Sequence, residues 1–358
     1  MTALIRAIVD TAALRHNLAR VRELAPGARV MAVLKANAYG HGTVPAAVAL
    51  AAADAFAVAR LEEGIELRAA GLRHRVVLLE GVFGSDALRQ AAHHGFELVV
   101  HEPGQVALLE SWRGDHRFGV WLKVDSGMCR LGFRPAEVAT AVARLQVCEA
   151  VLQPMALMTH LAEAEDRGST RTGGQLERFA TLTEGLPGER SIANSAGLAA
   201  WPAARADWVR PGLLLYGVSP FAATTGSELG LRPAMTLETR VIAVRNIATG
   251  DRVGYGGCWT ASRPTRLAVA AAGYGDGYPR NTASGTTVLV NERPAPLAGR
   301  VSMDMITVDV TELPRVAVGD PVLLWGPGVP VEAVARAAGT VPYELLCGVS
   351  QRVHPDVR

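Results

Sequence analysis

Over the first two thirds of the chain, short apolar runs alternate with segments whose apolar positions recur every three or four residues. The runs VMAVL (30–34), AFAVA (55–59), VVLL (76–79), ELVV (97–100), FGVWLKV (118–124), MALMTH (155–160), SIAN (191–194) and the stretch 208–216 predict strands. Helical spacing at 43–53, 61–70, 85–94 and 136–147 predicts helices between them. Such alternation implies a parallel sheet, and eight βα-like units suggest a closed (β/α)8 barrel of TIM type, which takes about 250 residues. A doubly wound open sheet is the alternative.

After about residue 231 the pattern changes. Short β-type runs such as TLETRVIAVRNIATGDRVGYGG, GTTVLVNERPAPLAG and DPVLLWG are separated by Gly, Pro and Asn or Asp turns. The fold class read here is therefore α/β: an N-terminal barrel over 8–230, followed by a mainly β C-terminal domain over 231–358. An N-terminal strand at 1–7 is expected to join the second domain, whose only predicted helix is VEAVARAAG at 331–339.

Composition narrows the picture by exclusion. The 358 residues are 49% hydrophobic and 20% charged, the balance of a globular chain. A formal net charge of +2 gives no reason to expect nucleic acid or an acidic membrane as partner, so any anion must be held locally. The start, MTALIRAIVDTAALRHNL, lacks the basic-then-apolar pattern of a secretory signal, and no apolar stretch approaches the ~18 residues of a spanning helix. Cys129, Cys148, Cys258 and Cys347 form no CxxC pair and no disulfide framework, and a cytoplasmic location is expected.

Chemistry collects at the strand ends. In a barrel of this class the active site is built from the C-terminal ends of the strands. Lys35 follows VMAVL, Lys123 and Asp125 end FGVWLKV, His160 ends MALMTH, Asn194 and Ser195 close SIAN, and Arg210 lies in the eighth run. Five of eight predicted strands thus finish in a usable side chain, which favours the barrel over the open sheet. Taken alone, Lys35 reads as the first solvated residue after a strand. In a barrel mouth, however, it loses solvation, its pKa falls, and its amine can form a Schiff base with an aldehyde such as pyridoxal phosphate.

The segment VLKANAYGHG resembles the lysine motif of the alanine racemases, the fold-type-III pyridoxal-phosphate enzymes. The resemblance continues through KVDSGMCRLGF, MTHLAEAE, SIANSAG, WVRPGLLLYG, RVGYGG, AGYGDGYPR, GRVSMDM and GTVPYELLC, in order and over essentially the whole chain. It implies that Lys35 carries pyridoxal 5'-phosphate and acts as one catalytic base, for the D-enantiomer, while Tyr255 in RVGYGG is the other, for the L-enantiomer. Racemisation removes a proton from one face of the α-carbon and returns it to the other, so two groups must flank the substrate. A tyrosine of ordinary pKa near 10 needs help to act as a base, and the resemblance assigns that help to His160 and Arg210. It also places Tyr255 on the second subunit of a homodimer, so that each active site needs two chains.

The remaining roles are likewise implied by the resemblance. Arg210 would donate to the pyridine nitrogen; because arginine stays protonated, the ring stays a weak electron sink and racemisation is favoured over transamination. An arginine merely paired with Asp207 is the plainer reading of that position. Ser195, with the amides of Gly212 and Leu213, would hold the phosphate, where barrels often bind it after strands seven and eight. Tyr39 and Tyr343 would add phenol hydrogen bonds, and Asn194 would support this group from behind. Arg130 would bind the cofactor's phenolic oxygen and the substrate carboxylate, the latter shared with the backbone N–H of Met303. Lys123 matches a lysine carbamylated in many relatives, and its carbamate could pair with Arg130; an unmodified lysine near a bound chloride is the plain alternative.

Glu165, Tyr274, Arg280 and Arg300 match an entry corridor, with Glu165 standing where Asp is expected. A narrow corridor and Tyr343 near the α-substituent would favour the methyl of alanine. Cys129 stands where Gly or Asn is expected, and Asp304 reads as structural. His93 and His94 read as a solvated helix end, His41 as a turn former, and no His/Cys/Asp cluster has metal-ligand spacing. The expectation is an alanine racemase, with a broad-specificity amino-acid racemase, a pyridoxal-phosphate decarboxylase or a non-catalytic pyridoxal-phosphate carrier as alternatives. Arg210 speaks against the decarboxylase, and the domain carrying Tyr255 and Met303 speaks against the carrier.

Overall fold

The computed structural model describes residues 4–353 and 355–358, which fall into two compact units. Residues 1–3 of the expected N-terminal strand lie outside the described residues. Residues 4–5 form a bend, and the strand is shifted from the expected bounds: β1 (Arg6–Val9) pairs antiparallel with a strand of the C-terminal sheet.

The larger unit spans residues 15–38 and 43–215. Its strands β2 (Arg29–Val33), β3 (Ala55–Val58), β4 (Arg75–Leu78), β5 (Glu97–Val100), β6 (Val120–Lys123), β7 (Ala156–Met158), β8 (Arg190–Ser191) and β9 (Trp208–Val209) close into a parallel barrel, β9 pairing back to β2. The barrel is a packed core. Met31, Phe56, Val77, Leu98, Leu122 and Leu157 are all sealed from solvent, as continuous apolar strands of a parallel sheet require. Helices cover the outside; Ser85–His94 ends on Gly95 in the left-handed conformation, so His93 and His94 sit in a last turn as expected.

Three expectations need correction. The eighth run is not a strand to residue 216: β9 stops at Val209 and Leu213–Tyr216 is a 3-10 turn. Pro211 lies between them, and with no N–H it cannot continue a ladder. SIAN is strand only at its first residue, because the Asn194 side chain accepts the Gly197 N–H at 2.9 Å and starts the helix Ser195–Ala200 instead. The helix expected over 43–53 ends at Ala49 and tightens into i→i+3 hydrogen bonds, Ala51 to Val48 and Ala53 to Leu50. Helices Thr11–Leu24, Pro103–Glu110 and Thr170–Leu182 were not predicted from spacing.

The other unit comprises residues 1–14, 39–42 and 216–358. Its main sheet contains β10 (Met235–Ile247), β13 (Thr265–Ala270), β14 (Thr287–Val290), β15 (Arg293–Pro296), β16 (Ile306–Asp309), β17 (Pro321–Trp325) and β18 (Pro355–Val357), with β1 between β10 and β18. A hairpin of β11 (Arg252–Val253) and β12 (Trp259–Thr260) stands apart from it. The expectation of a single helix here is wrong: Val331–Ala337 is followed by Pro342–Cys347. Six residues cannot display a helical period, though the proline at its first position is a start signal. Among the described residues no helix is long and apolar enough to cross a membrane.

Candidate active site

The strand-end rule holds in the barrel. Lys123 is the last residue of β6, Arg210 follows β9 directly, and Lys35 and His160 each lie two residues beyond their strands. Beyond Lys35 the backbone turns left-handed, with φ of 54°, 55°, 50° and 53° at Ala36, Asn37, Ala38 and Tyr39. Each such residue costs about 1–2 kcal/mol when it carries a Cβ, so the turn must be held by its surroundings. Asn37 Oδ1 accepts the Thr43 N–H at 3.0 Å, and Glu63 accepts the Ala36 N–H at 2.7 Å.

Arg210 is buried, and among the described residues no carboxylate pairs with it. Asp207, the plainer partner considered above, instead accepts the Arg190 N–H at 2.7 Å. The Arg210 guanidinium donates to Ser191 Oγ at 2.6 Å and to the carbonyls of Thr159 at 2.5 Å and Ile192 at 3.2 Å. It also lies 3.5 Å from Nδ1 of His160, whose Nε2 is 3.5 Å from the Asn194 amide. Burial lowers the Arg210 pKa to about 10. Burial together with Arg210, Lys123, Arg130 and Lys35 holds the His160 imidazole well below its ordinary range, so it is neutral.

Lys123 is buried as well, and burial with Arg210, Arg130 and Lys35 nearby pushes its amine down to about 8, against a smaller opposing pull from Asp125. Asp125 otherwise shapes the loop to Arg130, accepting the N–H groups of Gly127 and Cys129, both at 3.0 Å. Cys129 sits at φ 58°, which explains why Gly or Asn suits this position. Four cationic side chains therefore surround one neutral histidine. That surplus suits a ligand bearing several negative charges.

Ser195 opens its helix, and its Oγ accepts the Gly212 N–H at 2.9 Å and the Leu214 N–H at 3.5 Å. Leu213 lies between them in the 3-10 turn, so the hydroxyl and these amides lie side by side. Glu165 is exposed beyond β7 and is not brought onto this group by any contact in the barrel unit.

The β unit carries its own share of the predicted residues. Tyr39 stacks on Tyr216 at 4.9 Å between ring centroids and meets Tyr343 at 5.5 Å. His41 is buried, bonded through Nδ1 to the Tyr39 carbonyl at 2.9 Å and stacked on Tyr216 at 4.5 Å, which fits its reading as a turn former. Gly40 is required here: at φ 80°, a Cβ would fall 2.1 Å from the Leu346 carbonyl oxygen. Tyr255 begins a 3-10 turn between β11 and β12 and is 67% exposed in the single chain. Arg300 is exposed near the same hairpin.

Met303 is half exposed on a loop stitched to the Gly273–Gly277 segment, Tyr274 N–H to Ser302 O at 3.0 Å and Gly275 N–H to Met303 O at 2.8 Å. A Cβ on Gly273 would lie 2.3 Å from the Ser302 oxygen, so only glycine permits this approach. Arg352 ties both loops, reaching buried Asp276 at 3.3 Å and Asp304 at 2.9 Å, and Asp304 is structural as read from the sequence. Tyr274 and Arg280 line a cleft of about 410 Å³, the guanidinium 5.9 Å above the ring. Among the described residues no cluster of three or more His, Cys, Asp or Glu could hold a metal ion.

Sequence reasoning missed Thr159 and Ser191, the partners that aim Arg210, and Glu63. Thr159 and Ser191 lie inside the motifs that carry His160 and Asn194, and Glu63 occupies the third position of a helix, a capping signal.

Residues 9–220 match the family model of the alanine racemase N-terminal domain, and 234–357 that of the C-terminal domain. The alanine racemase of Nitrosococcus oceani is 55% identical over 349 residues, 97% of this chain and 98% of that protein. That of Shewanella amazonensis is 51% identical over 354 residues, 97% of each. The biosynthetic alanine racemase of Pseudomonas aeruginosa superposes with a TM-score of 0.96 at 46% identity, covering 100% of both chains. A Bartonella henselae alanine racemase structure with covalently bound pyridoxal phosphate gives 0.89 at 31% identity, again over 100% of both. This chain belongs to the alanine racemase family of pyridoxal-phosphate-dependent enzymes.

Proposed function

We propose that this protein interconverts L- and D-alanine by two-base proton transfer between Lys35 and Tyr255, as a homodimer. The observation that carries the reading is the cationic barrel mouth, in which the charges of Arg210, Lys123, Arg130 and Lys35 bear on neutral His160 and, among the described residues, no carboxylate pairs with Arg210. Pyridoxal 5'-phosphate, the cofactor covalently bound in the Bartonella relative, supplies when bound an electron-withdrawing ring that weakens the α C–H bond of an attached amino acid.

Lys35 Nζ would hold the cofactor, and its amine is the base that moves a proton at one face of the α-carbon. The Tyr255 hydroxyl does the same at the opposite face. Arg210 keeps its protons even at its lowered pKa, so it would hold the ring nitrogen as a donor without protonating it. That would keep electron withdrawal modest and favour return of the proton to the α-carbon. His160 and Arg210 form one network, which supports the resemblance-based reading that they lower the cost of ionising Tyr255.

Ser195 Oγ and the Gly212 and Leu213 amides bind the phosphate, with the phenols of Tyr39 and Tyr343 adding to it and Asn194 bracing His160. Arg130 and the Met303 N–H orient the substrate carboxylate. Glu165, Tyr274, Arg280 and Arg300 form the entry corridor that restricts substrates to small amino acids. Lys123, with its amine near 8, presents an appreciable neutral fraction to carbon dioxide and is the carbamylation site. The exposure of Tyr255, Met303, Tyr274 and Tyr343 in the single chain supports a second subunit completing the site.

The experiment is borohydride reduction of the holoenzyme followed by peptide mapping. The cofactor should be found on Lys35, and a Lys35→Ala protein should carry no reduced adduct. Label on another lysine would contradict the assignment.

A further inference from the structure

Glu63 makes contacts that a helix cap does not require. Its Oε2 accepts the N–H groups of Ala59 at 2.8 Å and Arg60 at 3.1 Å, the ordinary capping arrangement for the helix Leu61–Ala69. Its Oε1 reaches back 27 residues to accept the N–H of Ala36 at 2.7 Å. One carboxylate therefore joins the loop after β3 to the backbone next to Lys35.

The Ala36 N–H belongs to the peptide whose carbonyl is that of Lys35. It opens the left-handed run Ala36–Asn37–Ala38, in which all three residues carry a Cβ at positive φ. Glycine would adopt this path without penalty and asparagine tolerates it, but alanine resists it. A hydrogen bond to a charged acceptor is stronger than one between neutral groups, enough to hold one such residue against its preference. Asn37, bonded to Thr43, secures the middle of the turn, and Glu63 secures its entry.

We infer that Glu63 is a positioning residue for Lys35: its carboxylate holds the strained left-handed entry of the lysine turn, and so aims the Lys35 amine at the cofactor aldehyde. The inference rests on the assignment of Lys35 as the cofactor lysine. Glutamine at 63 keeps the shape but replaces one acceptor oxygen with an NH2 group, so either Ala36 or the pair Ala59 and Arg60 faces a donor.

The test compares wild type, Glu63→Gln, Ala36→Gly and the double variant. It measures the dissociation constant for pyridoxal phosphate and the rate at which the visible band of the lysine-linked cofactor forms, alongside melting of the cofactor-free protein. For Glu63→Gln the dissociation constant should rise about tenfold, as loss of one charge-assisted hydrogen bond implies, with slower band formation. In the double variant, glycine relieves the left-handed strain at position 36 and should restore most of that affinity. If Glu63→Gln lowers only the melting temperature, or if Ala36→Gly fails to rescue it, Glu63 is a helix cap and the inference fails. If Lys35→Ala still yields a borohydride-trapped adduct, the lysine assignment itself is wrong, and that outcome is separable from the first because it does not involve Glu63.

Discussion

Arg210 and His160 meet at 3.5 Å, guanidinium to Nδ1, inside a barrel where the guanidinium is otherwise bonded, among the described residues, to a hydroxyl and two carbonyls. Under the proposed function, a permanently protonated donor at the ring nitrogen would keep the cofactor a weak electron sink. Arg210→Glu supplies a carboxylate that can share a proton with that nitrogen. Racemisation should fall by about 10²–10³-fold, the usual cost of removing a preorganised donor, while pyruvate formation rises relative to it. Chiral analysis of alanine with a coupled pyruvate assay reads both; an unchanged ratio would remove Arg210 from control of the reaction.

The two proposed bases act on opposite faces, so their loss should be asymmetric. Tyr255→Phe keeps ring packing and removes the hydroxyl. Racemisation should fall by about 10²–10⁴-fold, as for loss of a general acid–base group. Exchange of the α-proton with solvent should persist for D-alanine, through Lys35, and fail for L-alanine. Retained exchange of both enantiomers in the variant would mean that Tyr255 is not the base.

How much of this was legible in the sequence depends on what each residue competes with. The strand Glu97–Val100 and the helix Ser85–His94 match their expected bounds, because the apolar period and the flanking Gly95 agree. The run at 208–216 misled, because it stays apolar while the chain leaves the sheet at Pro211; hydrophobicity reports burial, not conformation. The cationic residues at strand ends were legible through the barrel rule. Their partners Thr159 and Ser191, and the cross-link from Glu63 to Ala36, depend on distances between strands that no local pattern encodes.

Lys123 gives stability a pH dependence of defined sign. Its folded pKa, about 8, lies below the ordinary 10.5, so the unfolded chain binds the extra proton and stability rises with pH between these values. Below pH 8 the folded protein carries a buried charge at a cost of about 3 kcal/mol, which vanishes above 10.5. In cofactor-free protein kept free of carbon dioxide, Lys123→Met should therefore be the more stable at pH 7, with the gap closing in alkali. Denaturant titrations across that range check this. A carbon-13 carbamate signal from labelled bicarbonate should appear in wild type and be absent from the methionine variant.

Cys129 holds φ at 58° with a Cβ attached. Cys129→Gly removes the left-handed penalty, partly offset by the greater freedom of glycine in the unfolded chain, for a net gain of about 0.5–1 kcal/mol. Thermal unfolding should show a small rise in melting temperature with kinetics intact; a fall would mean that the thiol contributes packing that its exposure does not suggest.

The central claim is racemisation through the α-carbon, and incubation of the holoenzyme with L-alanine in D2O tests it most directly. Chiral chromatography with mass detection should show D-alanine rising to parity, with deuterium at the α-carbon and neither pyruvate nor ethylamine formed. L-Alanine that keeps its configuration in the presence of a bound, lysine-linked cofactor would contradict the account.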